Sequence, residues 1–299
     1  MSLLNKLVVS TMPIIPRPIV GRVAARYIAG ITLKDAVQKV QALNHSGMMS
    51  TMDLLGEDVK DAAETHQVRD NILSILQSIS QNKLDSNVSV KPTQLGLKID
   101  RELCYKNIRT ILEEARKLNN FVRIDMEDAQ TTDATLDIYR KLRAERFTNT
   151  GVVIQAYLHR SEADVRSLVK EGANIRLCKG IYNESAMIAF KKREEIRNNF
   201  LKLLNIILEG GSYVGIATHD DPLIESAYHL IQKMGLKPQH YEFQMLLGVR
   251  ESRRDQTLKD GHRLRVYVPY GEQWYAYSTR RLKENPYMAW YITKALFVR

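Results

Sequence analysis

Two adjacent arginines near the carboxyl end, Arg280 and Arg281, are the residues whose type and spacing most directly suggest chemistry. They lie in the stretch RVYVPYGEQWYAYSTRRLKENP, with Tyr277 before them and Glu284 after them. Neighbouring guanidinium groups repel each other unless they share an anion, and their planar forks suit bidentate binding of a carboxylate or phosphate. Helical spacing places all four side chains on one face, which is equally typical of a solvated helix with an Arg–Glu pair. The pair therefore indicates either an anion site or an exposed helix.

Eight short runs rich in apolar and β-branched residues alternate with charged segments of helical spacing. The runs are SGMMSTMDLLG, NVSVKPTQLG, FVRIDMED, GVVIQAYLH, ANIRLCKG, YVGIATHD, HYEFQMLLG and RVYVPYG. The intervening segments include residues 61–80 and 184–209. The apolar residues at helical intervals in the second segment include Ile196, Phe200, Leu204 and Ile207.

Strands that alternate with helices predict either a doubly wound sheet or a closed (β/α)₈ barrel. The chain has no G-x-G-x-x-G after its first strand and no G-x-x-x-x-G-K-[ST], so the dinucleotide-binding and nucleoside-triphosphatase folds lose their strongest signal. Eight strands in a chain of 299 residues match the roughly 250 residues typical of the barrel. We predict an α/β fold, a distorted TIM-type (β/α)₈ barrel over residues 46–299, preceded by an N-terminal helical arm over residues 1–45.

Composition and charge narrow the class of partner. Hydrophobic residues make up 44% of the chain, which is enough for a sizeable core, and the net charge of +10 favours anionic partners. The two cysteines, Cys104 and Cys178, form no metal-binding or disulfide pattern, which fits a reducing compartment. No apolar run reaches the ~20 residues of a membrane span. Residues 1–34 carry basic residues and no acid, so this stretch is a targeting segment, a helix that binds an anionic membrane surface, or an arm that packs on the barrel.

The polar residues at the predicted strand ends form the candidate site, because barrel enzymes carry their chemistry at the carboxyl ends of the strands. They are Asp53, Glu57, Lys91, Asp125, Glu127, Gln155, Tyr157, Arg176, Lys179, Thr218, His219, Asp220, Gln244 and Tyr267. Lys91 and Arg176 lie on buried strands, where a cation is costly without an anion or a partner. No HExxH occurs and His219 stands alone, so no metal site is predicted.

Residues that follow three of these strands have either a structural or a functional interpretation. Gly180 and Gly248 are either turn residues or places where a ligand approaches the backbone closely. Asp220 or Asp221 is predicted to cap the helix that starts near Pro222.

The stretches FVRIDMED, NIRLCKGIY, IATHD, YEFQMLLG and YVPYGEQWYAYSTRRLKENP, in the order of the barrel, resemble the proline dehydrogenases of the monofunctional bacterial type. The resemblance runs from STMDLLGE to RRLKENP, and the R-R-L-x-E-N motif is its most specific part. It implies an FAD-dependent enzyme that oxidises L-proline to Δ1-pyrroline-5-carboxylate, the first step of proline catabolism to glutamate, and passes electrons to a membrane quinone. It further implies a cytoplasmic protein without a nucleic-acid partner, and leaves peripheral contact with the inner face of the membrane open.

The resemblance also implies roles for individual residues. The catalytic residues are Asp125 and Arg176. The substrate is bound by Lys91, Leu246, Tyr267, Tyr277, Arg280, Arg281 and Glu284, with Glu57 closing the mouth as a gate. The FAD contacts are Met126, Gln155, Arg176, Lys179, Gly180, Ile181, Thr218 and His219. Ile181 stands where alanine is commoner in longer relatives, so its contact is the least defined.

Two rival functions also fit the sequence. One is another FAD-dependent barrel that resembles methylenetetrahydrofolate reductase, although paired arginines have no evident use there. The other is a non-catalytic basic protein that binds anionic membranes through its charge and its arm. A flavin spectrum would exclude the second, and reduction of that flavin by L-proline would exclude the first.

Overall fold

The computed structural model describes residues 21, 24–56, 59–275 and 277–278, and within them eight parallel strands close into one barrel. Each strand pairs with the next along the chain, and the last pairs with the first. The strands are β1 Met49–Leu54, β2 Ser86–Val90, β3 Val122–Ile124, β4 Thr150–Gln155, β5 Ile175–Cys178, β6 Val214–Ala217, β7 Tyr241–Leu246 and β8 Leu264–Tyr270. The predicted barrel and all eight predicted strands are therefore confirmed.

Helices alternate with these strands as the charged segments of the sequence predict. They are α1 Leu33–His45, α2 Ala62–Gln81, α3 Arg101–Lys117, α4 Thr132–Ala144, α5 Ser161–Lys170, α6 Arg193–Glu209, α7 Asp221–Lys233 and α8 Glu251–Lys259. Short 3₁₀ helices span Ala129–Thr131 and Pro238–His240. Within the described ranges, no helix has the length and apolarity that a membrane crossing needs.

The strands are apolar toward the helices and polar toward the barrel axis. Val122, Leu177 and Val266 are fully buried in the core cluster that the strands form with the helices. The alternate positions carry side chains such as Arg176 of β5, which bonds Gln244 of β7 although β6 lies between these strands. Such a contact is possible only through the barrel interior. Barrels of this kind are usually filled by Val, Ile and Leu, so a polar interior indicates function.

The helix predicted over residues 184–209 is shorter than expected, since α6 begins only at Arg193. The preceding residues pair instead with the loop after β4, where Leu158 and Ala189 form an antiparallel bridge. Phe190 N–H donates to the Tyr157 carbonyl at 2.8 Å, and Ala189 is buried. This tertiary pairing satisfies the backbone that a helix would otherwise satisfy. The apolar face of α6 itself is confirmed, with Phe200, Leu204 and Ile207 fully buried.

The chain before β1 packs on the barrel. Thr32 and Asp35 form a capping box at the start of α1, whose residues Ala36 and Val40 lie in the main core. Ala29 N–H donates to the Pro269 carbonyl at the end of β8. The predicted division into an arm and a barrel at residues 45 and 46 stays a prediction.

Candidate active site

Lys91 and Asp53 form a buried ion pair at the carboxyl ends of β2 and β1. The Lys91 Nζ lies 2.5 Å from Asp53 Oδ1, and the Asp53 side chain is 2% exposed. Burial raises the pKa of Asp53 above its ordinary value; the charge of Lys91 opposes this shift and that of Asp125 adds to it. The second oxygen, Oδ2, is buried without a hydrogen-bond partner among the described residues. The partner that a buried Lys91 requires is therefore Asp53.

Asp125, just after β3, accepts hydrogen bonds from two other predicted site residues, Arg176 and Tyr267. Its Oδ1 accepts from Arg176 Nη1 at 2.7 Å, and its Oδ2 accepts from the Tyr267 hydroxyl at 3.0 Å. The Arg176 guanidinium also stands 5.3 Å from the centre of the Tyr267 ring. Burial raises the pKa of Tyr267 well above its usual range, and the charge of Asp125 raises it further. The phenol is thus a neutral donor, and it helps to hold the carboxylate against Arg176.

Four residues predicted to contact FAD lie near this cluster with defined surroundings. Gln155, at the end of β4, donates through Nε2 to the Glu127 carbonyl at 2.8 Å. Thr218 Oγ1 accepts the Asp220 N–H at 3.2 Å. Leu246 N–H donates to His219 Nε2 at 2.8 Å, so the ring proton of a neutral His219 lies on Nδ1. Met126 is buried just beyond Asp125.

Three cations converge on Asp220 at one side of the barrel mouth. Lys179 Nζ lies 3.0 Å and Arg193 Nη2 3.4 Å from Oδ2, and Arg197 Nη2 lies 2.7 Å from Oδ1. Burial alone raises the pKa of Asp220, but hydrogen bonds from Arg197 and Lys179 outweigh it and hold that pKa well below its usual range. One carboxylate therefore faces three positive charges.

The predicted cap at Asp220 is wrong as to its side chain. Asp220 does occupy the N-cap position of α7, but its carboxylate makes no capping bond and turns to the three cations instead. Sequence reasoning also missed Arg193 and Arg197, which stand one turn apart at the start of α6. Their spacing was the available signal, but the non-helical residues before Arg193 concealed where the helix begins.

The two glycines at strand ends make room for protein rather than leaving an open approach. Gly180 has φ +103°, and a Cβ there would lie 2.1 Å from the Tyr157 ring. Gly248 has φ +70°, and a Cβ there would lie 2.0 Å from the Arg26 carbonyl oxygen. Ile181, next to Gly180, is 47% exposed. The first glycine therefore lets the loop after β5 lie on Tyr157.

The remaining predicted substrate residues divide between the described and the undescribed chain. Leu246 is paired with Tyr267 in the register of β7 and β8. Tyr277 is buried with Leu55, Ala24 and Ile28 in a small apolar cluster. The predictions for Glu57, Arg280, Arg281 and Glu284 lie outside the described residues.

Sequence reasoning placed Gln244 at a strand end without a role and overlooked two charged residues behind it. Glu242 of β7 and Arg265 of β8 are buried and lie 2.7 Å apart. The alternation of side chains along a strand could have identified both. Glu242 stands two residues before Gln244, and Arg265 two residues before Tyr267, so each faces the barrel interior with that residue. In the described ranges, no group of three or more His, Cys, Asp or Glu residues could hold a metal ion.

Comparison with protein families and curated proteins gives one consistent result. A family model described as proline dehydrogenase matches residues 36–290. The chain is 39% identical over 273 residues to proline dehydrogenase 1 of Bacillus subtilis (strain 168), covering 91% of this chain and 90% of that protein. It is 34% identical over 277 residues to the proline dehydrogenase of Deinococcus radiodurans, covering 91% and 89%.

Solved structures agree on the fold. The barrel is similar to proline utilization A (PutA) from Bdellovibrio bacteriovorus inactivated by N-propargylglycine, with a TM-score of 0.82 and 24% identity. The similarity covers 88% of this chain and 32% of that longer one. At this identity the likeness supports the barrel fold alone.

Proposed function

The chain belongs to the proline dehydrogenase family, an oxidoreductase family acting on CH–NH bonds, and we propose that it oxidises L-proline to Δ1-pyrroline-5-carboxylate with a bound FAD. The observation that carries the proposal is the cluster of Arg176, Asp125 and Tyr267 beside the Lys91–Asp53 pair, at the catalytic end of the barrel. In this proposal these residues bind the substrate and stabilise the negative charge that forms during the reaction.

The donor set suits a dinucleotide cofactor. Lys179, Arg193 and Arg197 outnumber the two carboxylates beside them, Asp220 and Glu194, so this corner keeps a net positive charge that suits the anionic diphosphate of a dinucleotide. Gln155 adds a neutral amide group on the same rim. We assign the holding of FAD to Met126, Gln155, Arg176, Lys179, Gly180, Ile181, Thr218 and His219. Arg193 and Arg197 act beside Lys179.

Bound FAD would accept the hydride that leaves C5 of proline while the nitrogen lone pair forms the C=N bond. Arg176 supplies a fixed positive charge near the electron acceptor, which favours the negative charge that accumulates there. Asp125 orients that arginine. Because Tyr267 donates to the other oxygen of Asp125, a change in either residue disturbs Arg176 as well.

The substrate carboxylate is assigned to Arg280 and Arg281, with Lys91 assisting. This assignment gives the arginine pair a use, since two guanidinium forks can share one carboxylate. Glu284 supports the pair from the same segment, Glu57 closes the mouth, and Tyr267, Tyr277 and Leu246 wall the ring. Lys91 is already paired with Asp53, so it assists the arginines as a supporting charge and not as the main partner of the carboxylate.

Electrons leave to a membrane quinone in this proposal, with the basic amino-terminal residues providing peripheral contact. Lys34 and the other cations of residues 1–34 are not opposed by any acid in that stretch. Binding to anionic vesicles should therefore fall steeply with salt, because exposed charges are screened over about 8–10 Å. Equal binding to neutral and anionic vesicles would exclude this contact.

The deciding experiment is anaerobic titration of the purified protein with L-proline. We expect a yellow protein that releases FAD on acid precipitation and whose visible absorbance bleaches on addition of L-proline. D-Proline, with its carboxylate on the opposite face, is the control and should bleach it far more slowly. A colourless protein that does not take up FAD would refute the cofactor. A yellow protein that folate substrates bleach and L-proline does not would favour the methylenetetrahydrofolate-reductase-like alternative.

A further inference from the structure

A chain of buried hydrogen bonds runs through the barrel interior from Arg176 to Arg265. Arg176 Nε donates to Gln244 Oε1 at 2.6 Å, and Gln244 Nε2 donates to Glu242 Oε1 at 2.6 Å. Arg265 Nε donates to the same Glu242 oxygen at 2.7 Å, and its Nη1 donates to the Ser50 carbonyl at 2.6 Å. The chain ties the predicted catalytic arginine to the opposite end of the barrel.

Chemistry leaves the Gln244 amide one orientation in this chain. A guanidinium can only donate and a carboxylate can only accept, so the amide oxygen must face Arg176 and the amide nitrogen must face Glu242. Burial raises the pKa of Glu242, but the charge of Arg265 and hydrogen bonds from Arg265, Gln244 and Tyr213 lower it overall. Glu242 is therefore an ionised acceptor that locks the amide from behind.

The strand between them, β6, carries a glycine at the position where the side chains of Arg176 and Gln244 meet. Arg176 is in register with Gly215 of β6, and Gly215 with Glu242 of β7, so side chains from β5 and β7 meet over the β6 backbone. A Cβ at Gly215 would lie 2.4 Å from Gln244 Nε2 and 2.9 Å from its Cδ. Gly215 is required here for space, because any side chain would push Gln244 away from Arg176.

Arg176 is held on two sides by these contacts. Asp125, just after β3, binds Nη1, and Gln244 of β7 binds Nε, so the plane of the guanidinium is set from two separate parts of the barrel. Among the described residues, Nη2 of Arg176 has no partner, and it is the donor left for a ligand. We propose that Gln244, locked by Glu242 and given room by Gly215, is a positioning residue that fixes the Arg176 guanidinium for the reaction.

This inference rests on the proposed function, and its consequence is measurable on the flavin. If Gln244 sets the position of Arg176, its loss lets the guanidinium move away from the negative charge of the reduced cofactor. The two-electron midpoint potential should then fall, whereas a merely structural residue would leave it unchanged once FAD is bound. For that couple, a tenfold change in the equilibrium is about 30 mV.

The primary variant is Gln244→Met, which keeps the side-chain length and removes both hydrogen bonds. We expect full FAD occupancy, a midpoint potential lower by about 30 mV, equivalent to a tenfold change, and a kcat for L-proline that falls about tenfold with little change in KM. The matched control is Gln256→Met, on the exposed side of α8, where Gln256 bonds only Asp260 among the described residues. This control should change neither quantity.

A second variant approaches the same contact from the next strand. Gly215→Ala leaves every hydrogen-bonding side chain present but places a methyl group against Gln244, so it should lower the potential and kcat in the same direction. A flavin potential and kcat unchanged in both variants would overturn the proposal. A change confined to KM or to the affinity for FAD would also overturn it.

The wild-type protein separates this failure from failure of the proposed function. If the wild type binds no flavin, or is not bleached by L-proline, the proposed function fails before any variant is compared. If the wild type is bleached and the variants match it, only the role of Gln244 is lost.

Discussion

At the scale of single residues, the buried arginines of the barrel interior have two kinds of partner, carboxylates and neutral oxygens. Arg176 is matched by Asp125 and Arg265 by Glu242, each at 2.7 Å. Arg123 has no carboxylate partner among the described residues and bonds the Val152 and Asn174 carbonyl oxygens instead. Burial, followed by the charge of Arg176, lowers the pKa of Arg123 to about 9. Two of these three buried arginines are therefore paired with carboxylates, and the third is held by neutral acceptors.

The arginine pair at residues 280 and 281 is tested by comparing two substrates. Arg281→Met should weaken use of L-proline by about 10- to 200-fold, because a charge-assisted hydrogen bond contributes roughly 1.5–3 kcal/mol. Arg280→Met should weaken it similarly. Pyrrolidine lacks the carboxylate and should lose much less with either variant. Steady-state kinetics with both substrates decides the matter, and equal losses would show that the arginines act structurally.

The depressed pKa of Asp220 predicts how stability depends on pH. A carboxyl whose folded pKa lies below the ordinary 3.8 stabilises the protein above that pH and loses its contribution as the pH falls below it. Asp220→Asn should therefore lower the free energy of unfolding at pH 7 by roughly 1.5–3 kcal/mol. The gap between variant and wild type should narrow below about pH 4.

Chemical denaturation at several pH values measures this gap. Asp70→Asn is the control, because Asp70 pairs with Arg69 in an exposed ion pair that contributes little. A gap for Asp220→Asn that stays constant between pH 7 and pH 3 would show that its ion pairs do not carry the stabilisation.

At the scale of elements, the loops after the strands are fixed by contacts with segments distant in sequence. The loop after β5 lies on Tyr157 at Gly180, and its later part pairs with residues 158 and 159. The turn after β7 meets the backbone of the amino-terminal segment at Gly248. Each contact uses a glycine with positive φ, so both conformation and space are demanded at one position.

Gly248→Ala tests whether the second contact is needed. Gly211 provides a matched control, because it has the same φ of +70° and a Cβ added there would meet nothing within 4 Å. Both variants incur the cost of a left-handed alanine, roughly 1–2 kcal/mol. Gly248→Ala should cost roughly 1–3 kcal/mol more, as an overpacked contact does. It should also speed proteolysis near Arg26, and equal stability of the two variants would refute the contact.

At the scale of the whole molecule, the chain before β1 closes onto the barrel rather than standing apart from it. Ala24 and Ile28 pack with Leu55 and Tyr277, near the carboxyl ends of β1 and β8. Gly271 N–H donates to the Gly30 carbonyl at 3.1 Å, next to the bond between Ala29 and Pro269. The amino-terminal segment therefore contributes to the walls on the side of the barrel where the proposed site lies.

Two isoleucines three residues apart test this closure. Ile28 is 5% exposed and Ile31 is 53% exposed. Ile28→Ala should lower the free energy of unfolding by roughly 2–4 kcal/mol, as removal of a buried side chain does. Ile31→Ala should change it by no more than about 0.5 kcal/mol. The check is the midpoint of a single denaturation transition; equal effects, or a separate early transition for the segment, would show that it folds independently.

The sequence by itself determined the elements and the ring of polar residues at the strand ends. Each strand and helix depends on side chains a few residues apart, so periodicity predicted all eight strands and the apolar face of α6. Once parallel strands close into a barrel, their carboxyl ends meet at one mouth. The nearness of Lys91, Asp125 and Arg176 therefore follows from the order of elements, and the family resemblance supplied their roles.

Only the tertiary structure decided which of these residues pair. Lys91 with Asp53, Asp220 with three cations, and Gln244 with Arg176 are contacts between strands or loops far apart in sequence. They depend on strand register and on the space left by a glycine of another strand, and no local pattern records either. The same reason explains the error over residues 184–192, where pairing with a distant loop satisfied the backbone in place of a helix.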